Sequence, residues 1–155
     1  MGKLKAGAII ASNKHRRDVR TQFGALCWRK RADKVEILLV TSRRSGRWII
    51  PKGWPMPEET PPGAAATEAF EEAGVQGKIG QQPIGIYTYR KIDVGKYKEL
   101  PCVVAVFPMK VKKVYSTYPE AEERRRKWVS RKKAAKMVDE PELKAILSSF
   151  DPLAA

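Results

Sequence analysis

The chain is poor in cysteine, histidine, acidic residues and long apolar runs, and each shortage excludes something. Two cysteines, Cys27 and Cys102, occur in 155 residues. Both lie in strand-like apolar runs, which reads as buried free thiols of a reducing compartment rather than a disulfide. The single histidine, His15, stands in the first twenty residues, so a histidine-based catalytic or metal site is not expected. No apolar run approaches the roughly 20 residues of a membrane-spanning helix, and the N-terminus lacks the apolar centre of a signal peptide. A cytoplasmic location without membrane attachment is therefore expected. Seventeen Asp and Glu stand against thirty-one Lys and Arg, for a formal net charge of +14 and a pI of about 10.0. Such a field attracts phosphate-rich partners. Nucleic acid, a membrane surface and a highly phosphorylated small molecule all satisfy it. The aromatic residues, 8% of the chain, are not interleaved with the basic ones in a single-strand-binding pattern, which lends nucleic acid no added support.

A hydrophobic content of 43% over this length suits one domain with a core, since chains of this size bury about 70% of their unfolded surface. Residues 1–19 read as a basic, weakly patterned arm, residues 20–150 as the domain, and 151–155 as a short tail. Phe23–Trp28 and Val35–Val40 are rich in strand formers and flank the charged stretch Arg29–Lys34, a hairpin signal. Trp48, Ile49 and Ile50 form a short third strand closed by Pro51, with Trp48 a core candidate and Trp54 at the loop beyond. Strands at Ile84–Tyr89 and Val103–Val111 surround an expected loop from Lys91 to Leu100. A last strand at Arg126–Val129 follows the charge run Glu120–Arg125, and helices are expected over Arg131–Val138 and Pro141–Ser149. Strands on either side of a central helix predict an α/β fold with a mixed sheet covered on both faces.

That central helix lies in Gly53–Val75, which carries Glu58, Glu59, Glu68, Glu71 and Glu72 and no Lys or Arg. Thr60 can cap a helix whose first residue is Pro61, and Gly74 is suited to end it. Glu68, Glu71 and Glu72 then fall at i, i+3 and i+4 on one face. Like charges at those spacings repel by roughly 0.2–0.5 kcal/mol per pair, in the last turns where the helix dipole already disfavours anions. A cation among them would relieve both penalties, and Mg²⁺ takes carboxylate oxygens together with substrate phosphates. The other reading of such a trio is a solvated acidic face.

The spacing resembles the Nudix box, in which Gly, five residues, Glu, seven residues, Arg-Glu, an apolar residue, any residue, Glu-Glu, any residue and Gly precede an apolar position. Gly53, Glu59, Glu68, Ala69, Glu71, Glu72, Gly74 and Val75 fall on this pattern, and Thr67 stands where it has Arg. The resemblance implies an α/β/α sandwich in which the box forms loop, helix and loop. It also implies Mg²⁺, or Mn²⁺, held by Glu68 and Glu72 with a backbone carbonyl near Gly53. Glu71 is the implied base, also within reach of the metal, and Glu59 supports the box. A base outside the box would be Glu120, Glu122 or Glu123, which otherwise read as a surface charge run. Because Thr67 cannot supply a charged, bidentate partner, another cation, Arg47 or Arg125, is expected to take that place.

The flanks GALCWRKRADKVEILLVTSRRSGRWIIPKG, GVQGKIG and RRRKWVS resemble the diphosphoinositol polyphosphate phosphohydrolase branch of the Nudix family. Its polyanion-binding positions correspond to Arg20, Gln22, Thr41, Ser42, Arg43, Lys52 and Arg126, with Arg90 or Lys91 as a further contact. The PKG wording is instead similar to Nudix enzymes that cleave diadenosine tetraphosphate. Independently of any resemblance, Arg43, Arg44, Arg47 and Lys52 lie just ahead of the acidic loop and can face a phosphate chain there, where arginine forks suit phosphate oxygens. The expected function is metal-dependent hydrolysis of phosphoanhydride bonds in diphosphoinositol or dinucleoside polyphosphates. Removal of pyrophosphate from RNA 5′ ends is the alternative enzyme, and a catalytically feeble module holding RNA or another polyanion is the alternative of a different class.

Overall fold

The computed structural model describes residues 19–94 and 97–153, with residues 92–94 and 97–98 described in backbone only. The basic arm, including His15, lies outside the described residues, as do residues 154 and 155.

The architecture grows from β1 (Arg20–Arg31), whose residues are buried continuously from Thr21 to Trp28. Such a run is the mark of a strand covered on both faces. It pairs antiparallel with β2 (Lys34–Thr41), Trp28 facing Ile37. The turn between them is Ala32 and Asp33, both at positive φ (52° and 66°), the backbone of a two-residue hairpin whose twist matches its strands. The charged stretch expected to separate the strands is thus mostly strand itself. Only two residues turn the chain, and Arg29 closes an ion pair with Glu36 across the hairpin at 2.8 Å.

Beyond the Trp28–Ile37 pair the two strands diverge, and two short strands fill the gap. β3 (Trp48–Ile49) pairs with β2 at Val40 and Thr41, and β4 (Lys52–Gly53) pairs with β1 at Phe23 and Gly24. This wedge brings Gly53 to the start of β1. On the other side β1 runs parallel to β7 (Tyr97–Val114), Arg20 facing Cys102 and Trp28 facing Lys110. β5 (Val75–Ile79) and β6 (Gly85–Val94) pair antiparallel with the two ends of β7, and β8 (Arg126–Ser130) with β2. The register of β6 on β7 runs from Gly85–Val106 out to Val94–Tyr97, so the stretch expected to be a loop from Lys91 to Leu100 is largely a long hairpin.

Helices cover both faces. α1 (Pro61–Glu68) has Thr60 as its cap, the hydroxyl accepting from the Gly63 N–H at 3.1 Å. It continues as a π-helical turn over Ala69–Ala73 and stops at Gly74, φ 68°. Its inward residues Ala64, Ala65, Ala69 and Ala73 are all buried. These small side chains let the helix lie close against Phe23, Cys27, Leu38 and Phe107 of the sheet. The opposite face carries Leu26, Ile37, Leu39, Ile50 and Tyr87, covered by α2 (Arg131–Met137) and α3 (Pro141–Ser149) through Ala134, Leu143 and Leu147. Each fully buried leucine contributes about 1.5–3 kcal/mol relative to an exposed one. The result is the expected mixed sheet between helices, an α/β/α sandwich. Cys27 and Cys102 are buried and free. Among the described residues no helix is long and apolar enough to cross a membrane.

Candidate active site

A cleft of about 990 Å³ opens where the β3–β4 wedge, the end of α1 and the loop before β8 meet. One wall is acidic. Gly53 is buried at its base, and a Cβ there would overlap the Glu68 carboxylate and lie 2.8 Å from its Cγ. Only glycine lets Glu68 rest against the loop. Glu68 ends the regular part of α1, and the wider π turn after it carries Glu71 and Glu72. The Glu68 and Glu72 side chains are hydrogen-bonded to each other. Burial, then the Glu72 charge beside it, pushes the Glu68 carboxyl up to about 8. Burial raises Glu72 as well, against the opposing pull of Arg124. Two adjacent carboxylates, one buried and one partly buried, each disfavouring the other's charge, form a place where a cation can sit.

Glu72 is held on both oxygens, Oε1 accepting from the Lys52 backbone N–H at 3.3 Å and Oε2 lying 3.5 Å from Arg124 Nη2. Arg124 in turn donates from Nε to Glu120 at 2.7 Å and from Nη1 to the Thr41 carbonyl at 3.0 Å. Glu71 lines the cleft, and its carbonyl accepts from the Glu120 N–H at 3.0 Å.

The facing wall is basic. The loop after β2 is closed by the Ser42 N–H to the Arg47 carbonyl (2.8 Å), and it carries Ser42, Arg43, Arg44 and Arg47 into the cleft. Arg43 is steadied by Glu123 at 2.9 Å, and Arg47 by Glu140 at 2.9 Å and Asp139 at 3.4 Å. Lys52 is pushed down to about 8 by burial, its ammonium 4.7 Å from the Tyr89 ring centroid. The Tyr89 hydroxyl donates to Gln22 at 2.6 Å. Arg90 and Lys91 complete this wall, and Trp54, 40% exposed, sits on the lining.

The cleft therefore brings together Gly53, Glu68, Glu71 and Glu72 with Gln22, Ser42, Arg43, Arg44, Arg47, Lys52 and Arg90. Other residues expected at the site are elsewhere. Arg20 begins β1 opposite Cys102 and does not line the cleft. Thr41 is buried, with its hydroxyl accepting from the Arg125 N–H at 2.9 Å, so it joins β2 to the loop before β8 rather than facing a ligand. Arg126 donates to the Ala73 carbonyl at 2.7 Å and stacks over Tyr118, which makes it an anchor for the end of the π turn. Glu59 is exposed and packs over Gly63 at the start of α1, where the helix dipole favours an acid. Thr67 lines a separate small cleft with Phe70 and Gln76.

The cation expected to answer the missing arginine is neither Arg47, which is tied to Glu140, nor Arg125, which stacks over Trp48 at 5.3 Å. Arg124, whose side chain is 8% exposed, is the one against Glu72. Its only sequence signal is the i,i+4 spacing from Glu120 inside a charge run. Tyr89 and Glu140 were equally silent.

Among the described residues no three Asp, Glu, His or Cys side chains are arranged as a ready-made metal cage. The donors present fit a hard cation that Glu68 and Glu72 hold in part and whose other ligands come from water and a bound phosphate, the usual habit of Mg²⁺.

Residues 20–150 match the family model described as the NUDIX domain. Diphosphoinositol polyphosphate phosphohydrolase 3-beta of Bos taurus is 50% identical over 56 residues, 36% of this chain and 34% of that protein. Nudix hydrolase 12, mitochondrial, of Arabidopsis thaliana is 33% identical over 107 residues, 68% of this chain and 53% of that protein. The chain thus spans between about a third and about half the length of these two curated relatives. Among solved structures, Ap4A hydrolase of C. elegans aligns with a TM-score of 0.59 at 24% identity, over 84% of this chain and 94% of that one. A MutT protein from Methanosarcina mazei Go1 reaches 0.63 at 22% identity, over 88% and 96%. Both likenesses are of fold.

Proposed function

The chain belongs to the NUDIX domain family, and from that premise we propose that it is a metal-dependent pyrophosphohydrolase of highly phosphorylated small molecules, the diphosphoinositol or dinucleoside polyphosphates. The observation that carries this reading is the pairing of walls in one cleft: Glu68, Glu71 and Glu72 on one side, Arg43, Arg44, Arg47, Lys52 and Arg90 on the other. Its volume of about 990 Å³ is at the upper end of small-molecule sites, and an array of guanidinium forks suits a ligand far more anionic than a simple nucleotide. The names of the bovine relative and of the C. elegans Ap4A hydrolase point to the same two substrate classes.

Glu68 and Glu72, with backbone oxygen near Gly53, would hold Mg²⁺ or Mn²⁺. When bound, that cation neutralises charge developing on the phosphate oxygens. The basic wall binds and aligns the phosphate chain, setting the bond to be cut beside the acidic wall. Glu71 is the base that takes a proton from the attacking water. Glu68 and Glu72 are engaged with each other and Glu120 with Arg124. Among the described residues Glu71 is the one acid of this wall whose carboxylate has no side-chain partner.

Release of phosphate or nucleotide over a panel of diphosphoinositol polyphosphates, diadenosine polyphosphates and 5′-triphosphorylated RNA, with Mg²⁺, tests the proposal. The parent should turn over one of the first two classes, and Glu71→Gln should lower kcat by at least about 100-fold. Equal inertness of parent and variant on every substrate would sink the enzyme reading. Turnover confined to RNA would move the substrate class.

A further inference from the structure

We propose that Arg124 is a positioning residue of this cleft, setting the orientation of the Glu72 carboxylate. The proposal rests on the metal-dependent reading above. One guanidinium here meets three acceptors on three separate segments: Glu120 at 2.7 Å, the Thr41 carbonyl at 3.0 Å and Glu72 Oε2 at 3.5 Å. The first two partners are themselves fixed. The Glu120 N–H is bound to the Glu71 carbonyl, and Thr41 exchanges backbone and hydroxyl hydrogen bonds with Arg125. The plane of the guanidinium is therefore set from outside the acidic wall, and its third donor carries that constraint to Glu72.

With the Lys52 N–H on the other oxygen, each carboxylate oxygen of Glu72 faces one fixed group, a backbone donor on Oε1 and the guanidinium charge at Oε2. A carboxylate only 5% exposed and set beside Glu68 would otherwise be free to turn away from the base of the cleft. A simple staple between β2 and the loop before β8 would need only the bonds to Thr41 and Glu120. The arm reaching Glu72 is what a staple leaves unexplained. The planar fork also explains why arginine rather than lysine stands here, since the three partners meet three different nitrogens, Nε, Nη1 and Nη2, which the single nitrogen of an ammonium cannot span.

The test is binding of Mn²⁺ to the full chain without substrate, followed by the electron paramagnetic resonance signal of free Mn²⁺, alongside steady-state kinetics and circular dichroism. Removing an outer partner of a metal-binding carboxylate commonly costs 10–100-fold in affinity or activity. Arg124→Ala is therefore expected to weaken Mn²⁺ binding by about 10–100-fold and to lower kcat with KM within about twofold, at unchanged circular dichroism. Arg124→Lys should recover only part of both. If Arg124→Ala does not fold, Arg124→Gln carries the same comparison. A guanidinium that merely neutralises Glu72 until a cation arrives would compete with that cation. Unchanged or tighter Mn²⁺ binding in the variants, with an active parent, overturns the proposal. If the parent itself neither binds Mn²⁺ nor turns over any substrate, the functional reading falls, and the positioning role with it.

Discussion

Gly53→Ala separates what the cleft needs for chemistry from what the fold needs for stability. Gly53 is not at positive φ, so alanine meets no backbone strain there. The closest clash is with Glu68: the nearest three atoms to the added Cβ are Oε2, Cδ and Cγ of that one side chain. A partly buried carboxylate on a flexible stem can swing outward, away from Glu72 and the base of the cleft. That motion removes buried repulsion, and alanine lowers the entropy of the unfolded chain by an amount worth about 0.4–1 kcal/mol. The net change in unfolding free energy is expected within about 1 kcal/mol of zero. Catalysis has no such compensation. With one of two cation-holding carboxylates displaced, a loss of about 3 kcal/mol in transition-state stabilisation corresponds to about 100-fold in kcat/KM. The assay is urea unfolding followed by tryptophan fluorescence, next to kcat/KM on whichever polyphosphate the parent cleaves. A variant that keeps kcat/KM within threefold of the parent would refute the reasoning, because Glu68 would then do its work without resting against the loop.

Arg126→Ala should lower unfolding stability by about 1–2 kcal/mol, from the lost bond to the Ala73 carbonyl and the lost stacking on Tyr118; an unchanged urea midpoint would contradict its role as anchor of the π turn. Alkaline pH should expose the burial of Cys27, whose thiol is raised from 9.0 to about 12 by burial. A raised folded value favours the protonated form, so this contribution is whole below pH 9 and is lost between about pH 9 and 12. The parent's stability should fall faster there than that of Cys27→Ala, by up to about 1.4 kcal/mol per pH unit, and equal slopes in urea titrations from pH 8 to 11 would count against it.

Much of the local structure was legible because it depends on near neighbours. Thr60, Pro61 and Gly74 bound the acidic helix through capping and a left-handed stop, and continuous apolar runs mark β1 and β2 as strands covered on both faces. Two local readings missed. The lysines between Lys91 and Leu100 suggested a loop, whereas the backbone pairing of β6 with β7 runs on through that stretch. The charged residues after Trp28 suggested a long turn, whereas Ala32 and Asp33 alone reverse the chain.

By itself the sequence determined the acidic trio, its spacing, the basic run ahead of it and the α/β class. All of these follow from periodicity, caps and charge within a few residues. Only the tertiary structure decided which cations face which acids. Arg124 reaches Glu72 and Thr41, the latter 83 residues away in the chain, and Arg47 reaches Glu140 across 93. Those meetings are set by the antiparallel pairing of β8 on β2, Val40 facing Arg126, which carries the loop before β8 and the chain after it to the end of β2, with no period in the sequence to announce it. For the same reason Thr41 and Arg126, basic-cleft candidates by position along the chain, became joints of the fold, while an unremarked arginine in a charge run came to hold the carboxylate at the centre of the site.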